Sequence, residues 1–175
     1  MLPLSIPLTI FLVYVIGSCL YLNGIPSSIS NTYYLFEEKH KGMGWLFTLF
    51  CWSVAFTLLP SLLEVTDESY QFCVFLTCAG MGFVGAAPQF KMDMTGTVHY
   101  VSAAFCMIFS QLWAILTCWW IPLIIWLIYI ISTTVFMKKH KGANLRDKFR
   151  QTKPMFWIEV ASFTSVFAVI IVSFL

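Results

Sequence analysis

The sequence predicts an all-α polytopic membrane protein, a six-transmembrane-helix bundle forming one domain over residues 1–175 with both termini outside. Three observations predict it: the composition, the number and length of the apolar stretches, and the one-sided placement of the basic residues. Hydrophobic residues make up 59% of the chain, and Asp, Glu, Lys and Arg make up only 10%. A soluble domain carries about 25% charged residues. A water-soluble globule of this size exposes much of its surface, and this chain lacks the polar residues to cover it. With a net charge of only +2, the composition excludes a nucleic-acid binder, a disulfide-stapled secreted domain and a Rossmann-type enzyme.

A helix needs about 20 mostly apolar residues to cross the roughly 30 Å hydrocarbon core. The first such stretch runs from Leu4 to Leu22. It lacks the basic n-region and small-x-small site of a signal peptide, so it reads as a true first helix. The second covers Gly44 to Leu63, and Glu64, Asp67 and Glu68 follow it. The third covers Tyr70 to Phe90, with Cys78, Gly82 and Ala86 forming a small-residue face suited to close helix packing. The fourth, Thr97 to Thr117, and the fifth, Ile121 to Met137, are joined only by Cys118, Trp119 and Trp120. Read as one helix they would be about 60 Å long at 1.5 Å per residue, twice what a membrane needs. Interfacial Trp and the helix-breaking Pro122 instead predict a tight hairpin. The sixth stretch runs from Met155 to Phe174.

Charge supports the same count. The first loop holds Lys39 and Lys41, the third Lys91, and the fifth Lys138, Lys139, Lys141, Arg146, Lys148, Arg150 and Lys153. All 10 basic residues therefore lie in odd-numbered loops, which the positive-inside rule assigns to the cytoplasm. Five crossings would throw the fifth loop to the far side. A Lys-His-Lys-Gly string recurs at 39–42 and 139–142. Both copies fall on one side without flanking similarity, so the recurrence reads as coincidence in basic loops rather than as inverted halves.

Ionisable residues within membrane helices are costly and turn towards the bundle interior. Glu159 lies about one turn into the sixth stretch, His99 in the first turn of the fourth, and Asp93 just beyond the third. With the polar segment Pro26–Tyr34 they share one depth on the cytoplasmic side. The expected ligand pocket comprises Ser30, Asn31, Thr32, Asp93, His99, Ser102, Glu159 and Ser162, with His99 and Glu159 meeting in a charge-assisted hydrogen bond. His99, Ser102, Cys106 and Ser110 form a stripe down the fourth helix, and Ser53, Thr57 and Ser61 one down the second. Helix packing explains such stripes as well as function does.

His99 and Glu159 are the candidate general bases, but no nucleophile constellation accompanies them. A helix N-terminus favours the neutral imidazole that a metal requires. A catalytic zinc nevertheless wants three protein ligands, and His99, Glu159 and Asp93 are the only candidates, so neither metal nor cofactor is expected. His40 and His140, each between lysines, read as solvated basic surface. Cys19, Cys51, Cys73, Cys78, Cys106 and Cys118 contain no Cys-x-x-Cys pair and read as buried thiols. No phosphate loop, zinc-protease or hydrolase-elbow motif occurs. The fifth loop, where Asp147 is the one acid, attracts anionic headgroups at roughly 1 kcal/mol per basic residue or serves topology alone, with Phe149 as an interfacial anchor.

Three fragments resemble a known family. They are Pro26, Ile29, Ser30 and Thr32 in a Pro-x-x-Ile-Ser-x-Thr pattern, Val98-His99 followed by Ala103-Ala104-Phe105, and Trp157-Ile158-Glu159 followed by Ala161-Ser162-Phe163. Their order is similar to the six-helix family of damage-regulated autophagy modulators and GPI-anchor lipid-remodelling proteins. The chain departs from that pattern at Tyr33, where the family has Gly. The resemblance implies membrane lipid handling.

The expected function is lipid binding or modification at a polar pocket of the cytoplasmic leaflet, in a bacterial inner (plasma) membrane. The alternatives are a subunit of a homo-oligomeric channel or transport complex and a non-catalytic interaction or immunity protein. The expected partners are membrane lipid, including anionic headgroups, and copies of the chain itself; nucleic acid is not among them.

Overall fold

The computed structural model describes residues 2–139 and 144–175. Its helices are α1 (Leu2–Tyr21), α2 (Thr32–Lys39), α3 (Trp45–Glu64), α4 (Gln71–Ala86), α5 (Asp93–Cys118), α6 (Trp120–Lys139), α7 (Leu145–Gln151) and α8 (Pro154–Ser173), with a 3-10 turn at Glu68–Tyr70 before α4. No strand occurs among the described residues. Six of these elements (α1, α3, α4 with its preceding turn, α5, α6 and α8) are long and apolar enough to cross a membrane. The protein is an integral membrane protein built on a helical bundle.

Two boundaries differ from expectation. The third span stops at Ala86 rather than Phe90 because Ala87 leaves helical geometry (φ −117°, ψ 58°) just before Pro88, whose ring disfavours a helical residue ahead of it. The next helix starts at Asp93, four residues before the expected Thr97, with the acidic side chain in the favourable first turn. His99 therefore lies in the second turn of α5, and Asp93 opens that helix.

The hairpin between α5 and α6 is present. Trp126 Nε1 donates to Gln111 Oε1 at 2.9 Å, whereas one continuous helix would hold those residues about 22 Å apart. The first, third and fifth connections gather at one end of the bundle. Lys91 N–H donates to the Tyr34 hydroxyl at 2.7 Å, and the Lys91 ammonium sits 4.1 Å from the centre of the same ring. Lys153 Nζ donates to the Ile25 carbonyl, and Phe156 N–H donates to the Ser27 carbonyl at 3.1 Å. Towards the opposite end, Trp113 Nε1 donates to Thr66 Oγ1 at 2.7 Å, tying the later part of α5 to the second connection.

Helix α3 packs between α1 and α4, α4 packs on α5, and α5 and α6 both pack on α8. Aromatic rings close the gap between α1 and α8. Phe11 lies 4.7 Å from Phe163 and 5.6 Å from Phe167, and Tyr14 stacks on Phe50 at 4.1 Å. Glycine sets two of the close approaches. A Cβ on Gly80 would stand 2.9 Å from the backbone of Ser102 and Cys106 on α5, and one on Gly85 would stand 2.7 Å from Cys51 Cβ on α3. Of the expected small-residue face of Cys78, Gly82 and Ala86, only Cys78 packs against the core. Gly82 has open space around it and Ala86 is exposed. The buried stripe instead runs through Cys73, Thr77, Gly80 and Val84.

Helices α2 and α7 were not expected from the sequence. Eight residues are too few to form a stable helix unaided. Helix α2 is held because Phe36 is buried edge-on to Tyr21 at 5.6 Å and Tyr14 at 6.3 Å. Helix α7 carries Arg146, Lys148 and Arg150, with no buried residue. His140 and Lys141, read above as parts of the basic surface, lie outside the described residues.

Candidate functional site: a carboxyl-gated apolar cavity

A cavity of about 300 Å³ lies among α3, α4, α5, α8 and the segment that follows α1. Its walls are almost wholly apolar, contributed by Phe47, Phe50 and Leu58 of α3, Met81 and Val84 of α4, and Phe163 and Val166 of α8. Tyr100, Ala104 and Met155 also line it and are exposed, so the mouth opens sideways between α5 and α8. The polar groups in the lining are Glu159, Ser30, Ser110 and Ser162, with Cys51 and Cys106.

Glu159 is positioned by the second turn of α8. Its carboxylate accepts the Ile29 N–H and the Ser30 hydroxyl at 3.3 Å. Ile29 and Ser30 belong to a strap, residues 25–31, that is fastened along the start of α8. Lys153 holds Ile25, the Phe156 amide holds Ser27, and Glu159 holds Ile29. The strap keeps its own turn through Asn31 N–H donating to Ser28 Oγ at 3.0 Å. Lys153 takes a left-handed conformation (φ 54°) that lets the chain turn sharply from α7 into Pro154. Glu159 thus fixes one wall of the cavity at its interfacial end. These neutral donors from Ile29 and Ser30 leave lone-pair capacity on the carboxyl oxygens for a further donor.

Of the residues expected to form the pocket, the structure brings together Ser30, Glu159 and Ser162. Ser162 Oγ donates to the Ile158 carbonyl at 2.9 Å, as hydroxyls in membrane helices do, and its side chain faces the cavity. The expected meeting of His99 and Glu159 does not occur. His99 is buried, and its Nδ1 lies 2.9 Å from the Ala87 carbonyl, which can only accept, so Nδ1 carries the proton. The ring also lies against Phe90 at 4.9 Å. His99 satisfies a carbonyl left over where α4 ends, a structural need that Pro88 creates and that no spacing in α5 reveals.

Thr32 is likewise diverted. Its Oγ1 donates to the Ile29 carbonyl at 2.6 Å and so accepts from the Tyr14 hydroxyl, also at 2.6 Å. Asn31 serves the strap. Asp93 is exposed at the start of α5, and Ser102 lies at the backbone approach to Gly80. Asp93, Asn31, Thr32, His99 and Ser102 are not among the cavity-lining residues.

Sequence reading also missed Gln111. Its Nε2 donates to the Ser162 carbonyl at 3.2 Å while its Oε1 accepts from Trp126, so one amide ties α5 to α6 and α8. The available signal was an amide in the middle of an otherwise apolar span. Among the described residues no group of three or more His, Cys, Asp or Glu side chains converges on a metal position.

No protein-family model, curated protein or solved structure matches the chain. Any functional reading therefore rests on the cavity and its surroundings.

Proposed function

We propose that this protein binds a membrane lipid, or holds one for modification, in the leaflet that faces its basic loops. A single hydrocarbon chain enters between α5 and α8 and the lipid's polar end remains near Glu159 and Ser30. The observation that carries this reading is the shape and chemistry of the cavity, which is apolar, open sideways and closed at its interfacial end by one carboxyl. Its volume is at the small end for ligand pockets, suiting one chain rather than two. From Glu159 to Val166 it follows about 10 Å of helix, within the hydrocarbon half-thickness of about 15 Å. The short motifs that resemble those of the lipid-remodelling family support the same class of ligand, because Ile29, Ser30 and Glu159 belong to them and meet here. The odd-numbered loops are cytoplasmic in this proposal, both termini lie outside, and the membrane is a bacterial inner membrane.

Native mass spectrometry of protein extracted in mild detergent tests the reading. The wild type is expected to retain a lipid adduct. Ala103→Trp, which fills the cavity from α5, should remove it, and Glu159→Gln should weaken retention roughly tenfold, the worth of one hydrogen bond to a charged group. An adduct held equally well by Ala103→Trp would overturn the proposal.

A further inference from the structure

A second groove, of about 290 Å³, lies on the other side of α8, between α8 and α6. Ile128 and Phe136 line it from α6, Trp157, Ala161 and Thr164 from α8, and Thr152 from the turn before α8. Trp157, Phe136 and Thr164 are exposed, so the groove faces the surrounding bilayer. Along α6 it runs from Ile125 to Phe136, about 16 Å at 1.5 Å per residue, close to the depth of one leaflet. Nothing in the cavity beside Glu159 explains it, because the two share no lining residue.

The charge at its interfacial end distinguishes this groove from ordinary lipid-facing surface. Helix α6 ends in Lys138 and Lys139, and the Lys139 ammonium sits 5.8 Å from the centre of the Phe136 ring, itself part of the groove wall. Helix α7 brings Arg146, Lys148 and Arg150 to the same end and runs directly into Thr152. Lys153 is committed to the strap through Ile25, and Asp147 is the one acid between residues 138 and 153. An apolar slot one leaflet deep, ending under a cluster of cations, matches the chemistry of an anionic phospholipid: an acyl chain below and a phosphate at the level of α7.

We propose that the α6–α8 groove is a selective site for one anionic phospholipid, with an acyl chain against Trp157 and Ala161 and the headgroup phosphate on Lys139 and Arg150. A cation cluster that only fixed topology would need no groove beneath it, and a groove that only met bulk lipid would need no cations above it. The structure has both, joined through Phe136 and Thr152. Occupancy would also pin α7, which presents no buried residue of its own to the bundle.

The test uses the full chain in nanodiscs containing brominated phosphatidylglycerol or brominated phosphatidylcholine, reading quenching of Trp157 as the difference between wild type and Trp157→Phe. Phosphatidylglycerol is expected to be preferred roughly tenfold or more at this tryptophan. The double variant Lys139→Gln/Arg150→Gln should bring the preference close to unity while bromine still reaches the groove. Thr164→Phe, a change at an exposed position, should reduce quenching by both lipids. Equal quenching by the two lipids in the wild type would overturn the proposal. So would a full phosphatidylglycerol preference retained in the double variant, or quenching unchanged by Thr164→Phe. These outcomes are independent of the cavity beside Glu159, which Ala103→Trp and Glu159→Gln address.

Discussion

At the scale of single residues, the structure separates side chains that look alike in the sequence. Gly80 and Gly82 sit two positions apart in the same apolar helix, yet a methyl group on Gly80 would meet the α5 backbone at 2.9 Å while one on Gly82 would meet nothing. Backbone cannot move aside as a side-chain tip can, so Gly80→Ala is expected to cost about 1–3 kcal/mol. Gly82→Ala is expected to be neutral or to stabilise by up to about 1 kcal/mol through helix propensity. Reversible unfolding in bicelles measures both, and equal effects at the two positions would contradict the α4–α5 contact described here. His99 and Glu159 form a similar pair. Both are ionisable residues near one end of the bundle, and the sequence invites joining them. One instead caps the carbonyl end of α4 and the other holds a strap. The sequence shows that each needs a partner, but a main-chain partner leaves no mark in it, because every residue carries the same C=O and all but proline the same N–H.

At the scale of elements, the spans were legible to within a few residues because bilayer thickness imposes a length and a composition on each. The short helices were not: α2 is held by tertiary contacts that no local pattern encodes, and the 7 residues of α7 are too few to carry a readable pattern. Helix α2 illustrates the point: Phe36 holds it from within, and Glu37 ties its end to the following turn. The Glu37 carboxylate accepts the Gly42 N–H at 2.9 Å and the Gly44 N–H at 2.7 Å, which together hold its pKa below the usual carboxylate value. Because the folded value is the lower one, the contribution is fully present above the unfolded value of about 4.3. It is lost as pH falls through the depressed folded value. Amide exchange at Gly42 and Gly44, corrected for its intrinsic pH dependence, should therefore lose protection on acidification below that point. Glu37→Gln should abolish the pH dependence. Protection that persisted unchanged in strong acid would mean that the carboxylate does not hold this turn.

At the scale of the whole molecule, the ends of the bundle differ in charge, and contacts fix which loops share an end. Tyr34 meets Lys91 and Ile25 meets Lys153, so the first, third and fifth connections lie together, and they contain all 10 basic residues of the chain. The opposite end carries Glu64 at the end of α3, with Asp67 and Glu68 before α4. Nothing inside the protein states which end faces the cytoplasm. The direction comes from the asymmetry of membrane insertion, which retains Lys and Arg on the cytoplasmic side. The proposed orientation, with both termini outside, follows from that rule, and in it both lipid sites proposed above would lie in the cytoplasmic leaflet. Single cysteines placed at Ser69 and Asn144, in a background whose six native cysteines are replaced, provide the test with a membrane-impermeant maleimide. In intact cells Ser69→Cys should react and Asn144→Cys should not; Asn144→Cys should react once the membrane is opened. Labelling of both positions from outside would mean an even number of crossings between them, against the three spans that the hairpin fixed by Trp126 and Gln111 requires. The reverse pattern would keep the bundle and both sites but move them to the outer leaflet, and with them the lipids available to each.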